Sequence, residues 1–215
     1  TEKVDTTTVV GHRYLNGDDD DASTAEHSSG KRKFGAGQII SAKTIMTLEA
    51  TAGSIENAGL LTINAGAGLI LWNSLNGIDT GKTVVLNADY DSHGDGTLTV
   101  VASQMVKTNE ATLIITAWDI DLPGSINADT TAGDSRVTIH GAKLDQTLAL
   151  GSTAKDLQLS DTELGNIATI DGLLMGSSTS GTFTVNGVTD ANSDALGTVT
   201  LVATRAARLV KFETG

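Results

Sequence analysis

The densest chemistry in the chain lies in Asp89-Tyr90-Asp91-Ser92-His93-Gly94-Asp95-Gly96, where three carboxylates crowd one short segment. Hard divalent cations such as calcium are held by carboxylate and carbonyl oxygens on a sharply turned loop. Acids at loop positions 1 and 3 and a glycine at 6 follow the start of an EF-hand. His93 at position 5 and Val100 at position 12, where a bidentate Glu is required, depart from it. The stretch is read first as an acidic turn, and second as a low-affinity calcium site with Asp89, Asp91 and Asp95 as donors. No other cofactor is expected.

Asp18–Asp21 is a solvated charge run that can gather cations diffusely or meet a basic cluster such as Lys31-Arg32-Lys33 on a neighbouring molecule. His12, His27, His93 and His140 form no closely spaced pair, so zinc is not expected. No serine stands in a Gly-x-Ser-x-Gly elbow. A sugar-cleaving site needs paired acids facing one another across the scissile bond. Asp119, Asp121, Asp129 and Asp134 are instead assigned to turns, and catalysis is not expected. Trp72 and Trp118 each follow an aliphatic run; they either close corners or offer rings on which sugars stack. Arg205, Arg208 and Lys211 form a basic patch beside Leu209-Val-Lys-Phe212 and are candidate interface residues.

These residues must be carried by strands. Hydrophobic residues make up 39% of the chain but aromatics only 3%, so the core must be thin and aliphatic. A single proline and 24 glycines suit frequent tight turns rather than helices. Twenty-six acids against 14 bases give a net charge of −12, which argues against nucleic acid and against an anionic membrane surface. No apolar run reaches transmembrane length, so membrane insertion is not expected. Without cysteine there is neither a disulfide framework nor a thiolate metal site.

Residues 1–37 lack apolar periodicity apart from Val9-Val10 and are read as an irregular, charged N-terminal arm with one short strand near Val9. From Gln38 the pattern becomes regular, and residues 38–215 are read as the repeat domain. Apolar–polar alternation marks strands at Thr44–Leu48, Leu60–Ile63, Thr83–Leu86, Thr97–Val101, Thr112–Thr116, Arg136–Ile139, Thr182–Val185 and Thr198–Val202. Asp161–Ile167 is the best candidate for a helical turn. Gly96–Ser103 echoes Gly197–Thr204 at a spacing of 101 residues, and aliphatic-Asn-Ala/Gly recurs at Asn64, Asn87, Asn127 and Asn186. Those gaps suggest a unit of about 20 residues with stacked asparagines. The fold class expected is all-β, a β-solenoid (β-helix) with coils of about 20 residues, forming a rod roughly 40–50 Å long at ~4.8 Å per coil.

Thr112–Ile126 and Leu61–Leu71 resemble the strand–turn repeats of filamentous-haemagglutinin-like adhesins. Ile139–Ala154 and Gly187–Asp194 resemble repeats in giant surface proteins of microbial eukaryotes. The likeness covers roughly residues 38–212, implies extracellular or cell-surface architecture, and brings no catalytic residue with it. Thr1 in place of Met reads as a processed protein or a piece of a longer one. The leading expectation is a structural module of an extracellular fibre, wall or appendage that joins end to end with further copies of itself or related repeat proteins. An adhesin or carbohydrate-binding β-helix that holds glycans is the alternative, and a polysaccharide-active enzyme comes third.

Overall fold

Where apolar and polar residues alternate, a strand has one buried row and one outward row. In Leu61–Ala65 the side chains of Leu61, Ile63 and Ala65 are buried, while Thr62 and Asn64 are half-buried. A computed structural model shows what buries them; it describes residues 8–9, 11–16, 32–50, 53–128 and 135–213. Every strand pairing among the described residues is parallel. The strands stack in sheets of eight, five, six and four, and the chain passes through the sheets in rotation rather than finishing one before starting the next. This arrangement is consistent with a β-helix or solenoid.

The first sheet runs through Thr8–Val9, Gln38–Ala42, Leu61–Ala65, Val84–Asn87, Leu113–Ala117, Val137–Gly141, Leu173–Ser177 and Val199–Ala203. From Gln38–Ala42 onward, register aligns one side chain from each rung into an apolar column: Ile40, Ile63, Leu86, Ile115, Ile139, Met175 and Leu201. Such columns need no aromatic plugs, which explains a core built from so few large rings. On the outer side, Ser41, Asn64, Asn87, Thr116 and His140 form a polar column. Within it Asn64 Nδ2 donates to Ser41 Oγ at 3.3 Å.

The second sheet holds Arg13–Asn16, Ile45–Glu49, Gly68–Leu71, Thr97–Val100 and Asp119–Asp121. The third holds Arg32–Phe34, Ile55–Asn57, Leu75–Gly77, Met105–Lys107, Ser125–Asn127 and Ile167–Ala168. The fourth, ordered Leu157–Leu159, Leu148–Gly151, Phe183–Asn186 and Val210–Phe212, continues where the second stops. At that seam the Gln158 N–H donates to Asp119 Oδ1 at 3.0 Å. A helix at Asp161–Gly165, closed by a Ser160/Glu163 capping box, packs beside Leu148–Gly151, whose four residues are all buried. The helical turn expected at Asp161–Ile167 is therefore present.

Three expectations are corrected. The repeat is not about 20 residues. Gln38 pairs with Leu61 and Leu61 with Val84, 23 residues on in each case; Val137 pairs with Leu173, 36 residues on. Corner loops of unequal length, and the inserted strand Leu157–Leu159, set the difference. With fewer, longer circuits, the eight-stranded sheet spans about 34 Å at ~4.8 Å per rung, shorter than expected. The asparagines do not form one ladder: Asn64 and Asn87 are neighbours, but Asn127 lies in the third sheet and Asn186 in the fourth. The 101-residue echo is no structural repeat, because Thr97–Val100 belongs to the second sheet and Val199–Ala203 to the first. Within 1–37, the expected strand near Val9 is accompanied by Arg13–Asn16 and Arg32–Phe34, each pairing with the following circuit. Asp18–Asp21, His27, Asp129 and Asp134 lie outside the described residues.

Candidate functional site

Between strands Val84–Asn87 and Thr97–Val100 the chain leaves the sheets for residues 88–96, whereas the preceding circuit turns the same corner with Gly66-Ala67 alone. The neck of this loop is pinched. A side chain at Gly96 would place its Cβ 2.0 Å from the Ala88 carbonyl oxygen, so only glycine fits there. The loop lies over neighbouring circuits. Tyr90 N–H donates to Ala65 O at 2.9 Å, Lys143 Nζ donates to His93 O at 3.4 Å, and Trp118 packs on Gly94.

Inside the loop, Asp89, Asp91 and Asp95 each bring a carboxylate oxygen to within 4.8 Å of the others. Asp91 and Asp95 are exposed, but Asp89 is only 1% exposed. Asp89 Oδ2 accepts the Gly94 N–H at 3.0 Å, while its buried Oδ1 has no hydrogen-bond partner. Burial, outweighing the Gly94 hydrogen bond and reinforced by the charges of Asp95 and Asp91, raises the Asp89 pKa above 3.8. For Asp91, burial pushes upward but loses to the hydrogen bonds and charge of His93, so its carboxyl titrates below the ordinary value. His93 Nδ1 stands 2.8 Å from Asp91 Oδ2. The three acids singled out by spacing are thus brought together.

The other candidates are dispersed. Trp72 is 51% exposed, and Trp118 is half-buried with Lys143 Nζ 5.9 Å from its ring centre. Leu69, Leu98 and Ile120 share one column. Trp72 follows Leu69 by three positions and Trp118 precedes Ile120 by two, so the rings lie at opposite ends of the second sheet and share no platform. Arg208 and Arg205 both pair with Asp145, the latter at 2.9 Å, and Lys211 Nζ lies 2.6 Å from Glu213. The hydrogen bond from Arg208 and the charges of both arginines hold the Asp145 carboxyl below its usual range.

Asp119 and Asp121 sit on a strand, not in a turn. Asp119 Oδ1 accepts from Gln158, and burial raises its pKa. Nearby Glu163 accepts from Leu122 N–H and from Ser160. Both carboxylates are thus committed to fastening the backbone at the seam. Sequence reading missed Gln146, which is buried and donates to Ala117 O at 3.1 Å and Trp118 O at 2.7 Å. It also missed Asp145 as the partner of residues some sixty positions away. No local signal marks either.

The last described rung differs from those before it. Val199 continues the column of Leu173, yet Val199 is 39% exposed and Leu173 only 1%. Phe212 continues the column of Val185 and is 73% exposed. No family model matches the chain, and neither a curated protein nor a solved structure matches it.

Proposed function

We propose that the chain is a length of parallel β-solenoid that acts as a structural and assembly module of an extracellular fibre, wall or appendage, joining head to tail with further copies. The observation that supports this reading is the rung Val199–Ala203 and Val210–Phe212. Two of its column residues, Val199 and Phe212, are exposed, and among the described residues no strand pairs with its outer edge. Edges of this kind template the addition of another strand. The strands Thr8–Val9, Arg13–Asn16 and Arg32–Phe34 end their sheets at the opposite extreme and run in the same direction. A second copy placed head to tail would set its Thr8–Val9 beside Val199–Ala203 and its Arg13–Asn16 beside Val210–Phe212, continuing two ladders in parallel while the third sheet ends at Ile167–Ala168. Contact of this heterologous kind propagates rather than closes.

Sedimentation velocity across a concentration series tests the reading. The native chain should associate progressively, and Phe212→Lys with Val210→Lys should abolish association while leaving the far-ultraviolet spectrum unchanged. Association that survives both substitutions would sink the proposal. The half-exposed Trp72 favours a second reading, glycan binding on an outer face. A glycan array comparing the native chain with Trp72→Ala addresses it.

A further inference from the structure

The loop 88–96 carries more than an acidic surface. Asp89 Oδ1 is buried and accepts no hydrogen bond, and the carboxylates of Asp91 and Asp95 gathered with Asp89 offer only further acceptors when ionised. A buried carboxylate oxygen left unsatisfied carries the desolvation penalty of a charged group, so an oxygen of this kind calls for an occupant. Oxygens bound to one calcium ion at about 2.3–2.6 Å lie no more than ~5 Å apart, and the three carboxylates meet that limit.

We infer that Asp89, Asp91 and Asp95 form a binding site for a hard divalent cation of calcium's size. The ion takes the open Oδ1 of Asp89 as its buried ligand, with the two exposed carboxylates and water completing the shell. Three protein oxygens put the affinity in the range of weak extracellular sites, with Kd of about 0.1–1 mM. The loop touches Ala65 in the circuit before it, Trp118 in the circuit after and Lys143 one circuit further on. The bound ion therefore fastens several corners at once. This goes beyond the assembly reading and is tested separately from it, because the ion is read by luminescence and the rung by association.

Terbium ions are a suitable probe, since Tyr90 is in the loop and Trp118 packs on Gly94. Titrating the native chain with terbium should give saturable sensitised luminescence from one site, displaced by calcium and not by sodium. Asp89→Asn should abolish it. If Asp89→Asn misfolds, Asp91→Asn and Asp95→Asn, both at exposed positions, should each weaken it about tenfold or more while the far-ultraviolet spectrum is kept. Luminescence that is non-saturable, or that persists unchanged in Asp91→Asn and Asp95→Asn, would overturn the site and leave only diffuse attraction to an acidic surface. Absence of any signal, with Asp89→Asn raising the melting temperature independently of calcium, would show a shared proton instead of an ion.

Discussion

Replacing Ile115 with Ala probes the stacked column on which the architecture depends. Ile115 is fully buried between Leu86 and Ile139 in register. The lost carbons account for about 2.4 kcal/mol at ~0.8 kcal/mol each. A rung held on both sides relaxes little, and the residual cavity brings the cost to about 3–4 kcal/mol. Leu201→Ala removes a side chain of similar size from the same column, but among the described residues Leu201 has a column neighbour on one side, Met175, and is partly exposed. Its cost should be about 1.5 kcal/mol in dilute protein. Urea unfolding followed by circular dichroism measures both, with unchanged m-values required for the comparison. Equal costs for the two variants, or a loss of less than about 1 kcal/mol at Ile115, would refute the column. If copies stack on the exposed rung, the cost at Leu201 should grow with protein concentration while that at Ile115 stays constant.

Other perturbations follow from the same geometry. Gln146→Ala leaves the Trp118 carbonyl without its side-chain donor and should cost about 2–3 kcal/mol in urea unfolding. Gly96→Ala should open the neck of the loop and lower the melting temperature, whereas Gly81→Ala, with open space around it, should show only the backbone strain of about 1–2 kcal/mol. Burial holds the His140 pKa below 6.5, so its folded form resists protonation. Its contribution to stability is complete above pH 6.5 and is lost as pH falls through and below that value. Denaturation at pH 7.5 and pH 5 should therefore show less acid sensitivity in His140→Gln than in the native chain. Asp89 and Asp119 act with the opposite sign, since burial raises both and their penalty is relieved as pH falls towards 3.8.

Much of this fold was legible because the alternation that makes a strand is local. Leu61-Thr-Ile-Asn-Ala and Thr97-Leu-Thr-Val state which side chains turn inward, and burial follows that alternation. The acidic loop was legible for the same reason, as all three carboxylates come from one corner. Circuit length was not, because corners tolerate very different loops at little cost while the register of the rungs stays fixed. Asparagine misled because it suits a strand end in any sheet, and Asn64, Asn127 and Asn186 occupy three different ones. Pairings such as Asp145 with Arg208, or Gln146 with the Trp118 carbonyl, join residues far apart in sequence and carry no spacing signal. The burial of Asp89, with one oxygen left open, likewise has no signal in the sequence.

The central claim, head-to-tail stacking through the rung at Val199–Phe212, is tested most directly by negative-stain electron microscopy across a concentration series. The account predicts end-joined rods whose lengths step by about 34–40 Å per added molecule at ~4.8 Å per rung, and which shorten to single particles with Phe212→Lys. Uniform single particles at every concentration, or lateral clusters that ignore Phe212→Lys, would contradict it.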